Sequence, residues 1–285
     1  MAIKFKLKSL LYIIISLFSF SLCAQNNFGL ERERDTTFWE LLKYDSKKTA
    51  QGIGYAFSRP AHWNETDFRK LTTLAVGVFA LSLADEEINR FTTSQVDTYP
   101  QIGRDFGFKL GKPQTFFLLN AGLYGFGLFT KNEAVRKTSV LIISSAITAG
   151  TIQSVSKTVF GRARPNSGFD YNDFKPFSNE ANFHSFPSGH TVLSVTLAHS
   201  LAKQFDNIWV KVGIYSLGSI TPITRLVEGA HWLTDVAIGT ILSVVVVDSI
   251  DKFLSKTNAY TYKKNQHISW NLTLSGNQLG VIGVF

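Results

Sequence analysis

Six segments of this chain, 70–89, 114–131, 136–157, 190–204, 208–224 and 233–252, are rich in Leu, Ile, Val, Ala, Gly, Ser and Thr, with apolar residues on nearly every side. A strand needs partners for its backbone along its whole length. A helix satisfies its own backbone, so long runs that are apolar all round fold as helices packed on one another or on lipid. The expected fold is all-α, a bundle of about six core helices, with embedding in a membrane favoured. Segments 137–156, 208–224 and 233–250 approach the length that crosses a bilayer, yet each carries Ser, Thr or Gly. A mean hydropathy close to zero leaves a compact soluble helical domain open as the alternative.

The ends of the chain differ from this middle. Lys4, Lys6 and Lys8 precede an apolar run from Leu10 to Leu22, and Ser21-Leu22-Cys23-Ala24-Gln25 offers a cleavage region. Residues 1–24 therefore read as an export signal peptide or a retained N-terminal anchor. Residues 25–66 form a polar segment, with a short helix expected over Trp39–Tyr44. Residues 67–255 form the helical domain, and 256–285 a tail. In the tail, Ile268 to Leu274 and Leu279 to Phe285 alternate with period two around Ser275-Gly276-Asn277, which predicts a β-hairpin. Cys23 is the only cysteine, so a processed chain has no disulfides, thiolate catalysis or cysteine metal sites. The net charge of +8, three of it in the leader lysines, is not gathered into the basic stripe that a nucleic-acid partner requires.

Three separated fragments carry chemistry. The first is Lys157-x6-Arg164-Pro165, at the end of the helix over 136–157. By itself it fits a solvated helix end, with Lys157, Arg162 and Arg164 complementing the dipole. Pro165 nevertheless holds Arg164 in extended backbone and aims its guanidinium, whose fork suits phosphate oxygens. The second is Pro187-Ser188-Gly189-His190, where Ser188 is placed to cap a helix starting near Gly189. Free N–H groups and a hydroxyl at a helix start make an anion site, with His190 beside it as a proton donor; the bland alternative is a plain cap and a surface histidine. The third is Arg225-x5-His231-x3-Asp235. Four residues apart, His231 and Asp235 share one helical face, where the carboxylate can hold one imidazole nitrogen as N–H and leave the other as a nucleophile. A capping histidine beside a helix-start aspartate is the competing account. The conjunction of all three fragments at helix ends favours a shared pocket.

On these motifs the chain resembles the type 2 phosphatidic acid phosphatase superfamily, which also contains bacterial acid phosphatases and vanadium haloperoxidases. The motifs cover about residues 157–235, and the helical pattern extends the likeness to about 70–252. Thr224 stands where the family usually has serine, and it keeps the hydroxyl. The resemblance implies that His231 attacks phosphorus, oriented by Asp235, and that His190 protonates the leaving oxygen. It also implies that Lys157, Arg164, Ser188, Gly189 and Arg225 hold the phosphoryl oxygens. No metal or other cofactor is implied. The implied substrate is a phosphorylated lipid or small phosphoester, with isoprenyl diphosphate, phosphatidate, phosphatidylglycerol phosphate and lipid A phosphate all open. A soluble periplasmic phosphatase of broad specificity, a vanadate-dependent haloperoxidase and a non-enzymatic membrane scaffold are the competing classes.

The loop 166–186 carries Phe169, Tyr171, Phe174, Phe177, Phe183 and Phe186, either an apolar lip for a lipid or packing beneath a long loop. His184 and His199 have no partner in the motifs. If the helices alternate, Lys131, Arg136, Lys137, Lys203, Lys211, Lys252 and Lys256 lie on the face opposite the motifs. The positive-inside rule then makes that face cytoplasmic and turns the motifs outward, in a bacterial-type envelope, either on the inner membrane facing the periplasm or free in the periplasm. A cleaved signal followed by full spans at 70–89, 114–131 and 136–157 would point the motifs inward, so the two arguments conflict.

Overall fold

A computed structural model describes residues 36–260 together with two strands, Ser269–Ser275 and Gln278–Val284. The leader over 1–24, with Cys23, lies outside the described residues. The helices are α1 (Phe38–Ser58), α2 (Glu65–Ser82), α3 (Asp85–Thr93), α4 (Gln101–Leu110), α5 (Pro113–Phe129), α6 (Glu133–Phe160), α7 (Gly189–Ala202), α8 (Ile208–Val227) and α9 (Leu233–Lys256). They belong to one unit, Phe38–Lys263. The two strands lie in a separate unit, where β1 (Ser269–Ser275) pairs antiparallel with β2 (Gln278–Val284), Leu272 opposite Val281.

Caps set several boundaries. Asn64 accepts the amide of Asp67 at 3.1 Å while Asp67 accepts that of Asn64, so α2 starts five residues before the expected segment 70–89. The expected single helix there is two: the chain turns at Leu83 and Ala84, and α3 begins at Asp85, whose side chain is drawn fully into the interior. The short helix expected at 39–44 runs on to Ser58, because α1 packs along α6. Helix α4 follows Pro100 and packs on α8; its two glycines and scattered charges carry no apolar run for sequence reading to detect.

Helices α6, α7 and α9 pack together around Leu141, Val192, Val247, Ile250 and Leu254, all at most 1% exposed. A second cluster, Phe116, Ile142 and Ala146, joins α5 to α6. Two buried hydroxyls in α6 are satisfied within the helix, Ser144 donating to Val140 C=O at 2.6 Å and Thr148 to Ser144 C=O at 2.9 Å, while those of Ser139 and Ser145 have no protein partner. Helices α6 and α9 are each long and apolar enough to cross a bilayer. Two of the basic residues assigned to the face opposite the motifs are not free charges. Arg136 is buried and donates to Asp45 at 3.1 Å, an aspartate that also accepts Tyr124 and Tyr260 hydroxyls. Lys203 pairs with Asp248 and Asp251.

Candidate active site

The first fragment is shaped by Gly161, which ends α6 at φ +58°. A side chain there would set its Cβ 1.9 Å from the Lys175 carbonyl, so only glycine permits the close approach of the two segments. Beyond it the chain runs extended: Ala163 N–H donates to Asp173 C=O and Arg164 N–H to Asn182 C=O. Side chains alternate along such a segment, which puts Arg162 and Arg164 on one side. Arg162 is not the solvated helix end that sequence alone allows. It is 4% exposed, and it reaches Asp235 Oδ1 at 2.8 Å. Arg164 lies in extended backbone before Pro165, at φ −87° and ψ 150°. Its guanidinium donates to three carbonyls, Ala181 at 3.2 Å, Ala230 at 2.8 Å and His184 at 3.0 Å.

In the second fragment Ser188 holds the N-cap position of α7, but its hydroxyl makes no cap hydrogen bond, contrary to expectation. Instead Ser188 Oγ accepts from Thr191 Oγ1 at 3.0 Å, both residues being fully buried. The turn is tied to α9 by Ser188 N–H donating to Asp235 C=O at 3.1 Å. Gly239 allows the helices to close: a Cβ there would lie 3.0 Å from Ser188 C=O. Gln153, one turn before Lys157, sits below Gly189 and donates to Pro187 C=O at 3.4 Å. His190 stacks on Phe108 of α4, ring centres 5.4 Å apart, and its buried Nε2 has no protein partner.

The third fragment departs from the expected geometry. His231 is not on the helix with Asp235; it precedes the N-cap Trp232, and Asp235 is the third residue of α9. The carboxylate does two things there. Oδ2 accepts Trp232 N–H at 2.9 Å, which caps the helix, and faces His231 Nδ1 at 3.5 Å. The hydroxyl of Ser185 also donates to Oδ2 and lies 3.4 Å from His231 Nδ1. On the other side of the ring, Arg164 Nη1 is 3.3 Å from His231 Nε2. An arginine only donates, so Nε2 is the lone-pair nitrogen and Nδ1 carries the proton toward Asp235. Burial, opposed by Asp235 and aided by Arg164 and Lys157, lowers the His231 pKa to about 4 and keeps the ring neutral. Arg225 packs over Phe108 at 4.9 Å and pairs with Glu228, with its Nε unpartnered in the interior.

The eight expected residues thus converge. His190 lies in the field of Arg225, His231, Lys157 and Arg164; burial and that field lower its pKa to about 3. Lys157 is in turn near Arg164 and Asp235. The result is a neutral, oriented imidazole under a cluster of cations, with a helix N-terminus and a second imidazole alongside. Such an arrangement has the chemistry to hold a tetrahedral anion beside an unprotonated imidazole nitrogen. Among the described residues no three of His, Cys, Asp and Glu gather as a metal-binding group.

Several participants went unread in the sequence. Ser185 and Gln153 lie near the motifs but carry no spacing signal. Phe108 comes from a helix that sequence reading omitted. Trp232, inside the third fragment but given no role there, donates Nε1–H to Ala163 C=O at 2.8 Å. Of the aromatic loop, Phe183 is buried against Phe169 while Phe174 and Phe177 are 52% and 70% exposed, so the loop holds both packed and exposed rings. A cavity of about 420 Å³ opens there between Phe169, Asp173, Phe174, Lys175 and Phe183. The His184 ring bonds only Ser178 C=O at 2.7 Å, yet its own carbonyl holds Arg164. His199 pairs with Tyr215 and Asp248, outside this cluster.

Residues 138–253, which contain all eight, match the family model of the PAP2 superfamily. The lipid A 1-phosphatase of Rhizobium etli is 32% identical over 100 residues, 34% of this chain and 42% of that protein. The lipid A 4'-phosphatase of Porphyromonas gingivalis is 23% identical over 168 residues, 58% of this chain and 71% of that protein. The chain therefore spans less than half the length of the first of these relatives. Among solved structures, Aquifex aeolicus LpxE matches at a TM-score of 0.47 and 19% identity, covering 59% of this chain and 94% of its own. The PAP2-type phosphatidylglycerolphosphate phosphatase of Bacillus subtilis gives the same TM-score and identity over 77% and 96%.

Proposed function

We propose, from the premise that residues 138–253 form a PAP2-superfamily domain, that the chain is a metal-independent phosphatase of lipid phosphates working through a phosphohistidine. The observation that carries the reading is the orientation of His231, with Nδ1–H toward Asp235 and the Nε2 lone pair facing the cations. In the first step Nε2 bonds to phosphorus, the bond from phosphorus to the lipid oxygen breaks, and that oxygen takes a proton from His190. In the second, His190 accepts a proton from water, the water oxygen bonds to phosphorus, and the P–N bond breaks. The charge shift over the equatorial oxygens is met by Lys157, Arg164, Arg225, Ser188 and the Gly189 amide. His190 is kept neutral by burial and the surrounding cations. A phosphate dianion among them reverses that field and favours the protonated, acid form.

A lipid substrate is supported by the lipid A phosphatases among the relatives and by the exposed Phe174 and Phe177 beside the site. The proposed location is the bacterial inner membrane, with the site toward the periplasm. The remaining Lys131, Lys137, Lys211, Lys252 and Lys256 support that orientation, and the export-type leader supports an envelope location. Phosphate release from lipid A, phosphatidylglycerol phosphate, phosphatidate, isoprenyl diphosphate and nitrophenyl phosphate tests the activity. The expected result is turnover of a lipid substrate, unaffected by EDTA and abolished in His231→Ala. An active His231→Ala protein or an EDTA-sensitive one overturns the mechanism, and preference for nitrophenyl phosphate overturns the substrate class. Reporter fusions after residues 60, 170 and 260 test the orientation.

A further inference from the structure

We propose that Asp85 and Arg162 are positioning residues for the nucleophile, acting through Asp235; the inference rests on His231 being that nucleophile. Asp85 opens α3, far from the motifs in sequence, yet it is 0% exposed. Arg162 lies between it and Asp235, reaching Asp85 Oδ2 with Nη2 at 2.7 Å and Asp235 Oδ1 with Nη1 at 2.8 Å. Its Nε donates to Tyr171 C=O at 3.0 Å, and the rings of Trp232 and Phe174 cover it at 5.6 and 5.9 Å. Thr234 closes the circuit. Its amide donates to Asp85 Oδ1 at 2.9 Å, its hydroxyl donates to Asp85 Oδ2, and its oxygen accepts from Arg162 Nη1 at 2.6 Å.

Each oxygen of Asp235 thereby has a fixed task. Oδ1 is held by Arg162, and Oδ2 is left to Trp232 N–H, Ser185 and His231. A carboxylate pinned at both ends cannot rotate, so the plane in which His231 Nδ1–H finds its acceptor is set from the far side. Asp85 completes this in two ways. It anchors the Arg162 fork, and it takes part of the guanidinium charge that would otherwise fall on Asp235 and weaken it as an acceptor. Buried charges are tolerated when each is paired and hydrogen-bonded, and the set meets that condition. Neither Asp85 nor Arg162 contacts His231, so their influence on the reaction passes through Asp235.

The test compares Asp85→Asn, Asp85→Glu and Arg162→Lys with the parent protein for kcat, KM, competitive inhibition by inorganic phosphate and thermal unfolding, and repeats Asp85→Asn on a His231→Ala background. Positioning predicts a fall in kcat of about ten- to hundredfold for Asp85→Asn, the loss usual for a partner one step behind the residues that act. KM and phosphate inhibition stay within about twofold, because the cations are untouched. Asp85→Glu recovers part of kcat, and Asp85→Asn adds nothing to His231→Ala. Unchanged kcat, or losses in phosphate affinity that track the fall in unfolding temperature, overturn the proposal. Should Asp85→Asn fail to fold, Arg162→Lys, which keeps the charge and one carboxylate contact, decides by the same readouts. A fully active His231→Ala protein would instead defeat the phosphohistidine reading, a separate outcome.

Discussion

Replacing Arg164 by lysine separates charge from geometry. Arg164 Nε and both terminal nitrogens donate to carbonyls on two separate stretches of chain: Ala181 and His184 in the aromatic loop, and Ala230 immediately before His231. A lysine ammonium at one of these positions leaves the other two without a charged donor. At about 1.5 kcal/mol each, the lower end for bonds to a charged group because Arg164 is only partly buried, the loss is about 3 kcal/mol. At 1.36 kcal/mol per tenfold this corresponds to roughly a hundredfold in kcat/KM if it all falls on the transition state. Arg164→Lys keeps the positive charge, so an account in which the residue is only a cation for phosphate predicts almost no change. The assay is phosphate release under kcat/KM conditions, with unfolding temperature measured in parallel to record any share that falls on folding. The geometric argument fails if Arg164→Lys stays within about threefold of the parent protein while Arg164→Gln does not.

His231, held to a pKa of about 4 against an ordinary 6.5, remains neutral down to about pH 5; NMR titration of labelled histidine, assigned by loss of the signal in His231→Gln, checks this, and a ring that titrates above pH 6 contradicts it. The same shift makes the unfolded chain bind the extra proton between about pH 6.5 and 4, so this residue's contribution to stability is full above that window and falls as pH drops through it, visible in denaturant midpoints measured along the range. Asp45→Ala leaves the buried Arg136 without its carboxylate and removes the acceptor of Tyr124 and Tyr260. The expected cost is about 3–5 kcal/mol of stability with kcat unchanged in the folded fraction; a drop in kcat without loss of stability would place Asp45 in the site after all. Gly161→Ala combines about 1–2 kcal/mol for a left-handed alanine with a clash at 1.9 Å against Lys175 C=O, so Arg162 and Arg164 shift together and phosphate release falls at least about tenfold; wild-type activity would show that the turn is not what aims them.

What sequence alone conveys here depends on distance along the chain. His231, Asp235, Ser188 and Arg164 are legible because a residue type at a helix end already states its chemistry, and three such statements within 157–235 reinforce one another. The helices α5 to α9 are legible because long segments with apolar residues on nearly every side write themselves into composition, even where, as at Leu118 of α5 and Trp209 of α8, those residues lie exposed. Relations that span the chain leave no such mark. Asp85 lies 77 residues from Arg162 and 149 from Thr234, and in the sequence it falls in an acidic run near the end of the expected helix 70–89. Arg136 has the appearance of a flanking membrane charge until Asp45, 91 residues earlier, is placed against it. Even the His231–Asp235 spacing, correct as a contact, suggested the wrong backbone: the two share no helical face and meet because the helix begins between them.

That beginning explains the polarity of the whole site. The N-terminus of α9 attracts negative charge, and it receives two carboxylates, Asp235 on Trp232 N–H and Asp85 on Thr234 N–H. The ends of α6 and α8 attract positive charge, and there stand Lys157 and Arg225, with Arg164 on the extended segment beyond α6. His231 occupies the boundary between the two fields. With its proton on Nδ1 the ring points its donor at Asp235 and its lone pair at Arg164; the opposite tautomer would aim a donor at a guanidinium and a lone pair at a carboxylate. Both contacts would turn repulsive at once. The tautomer with Nε2 unprotonated is therefore selected by where the helices end.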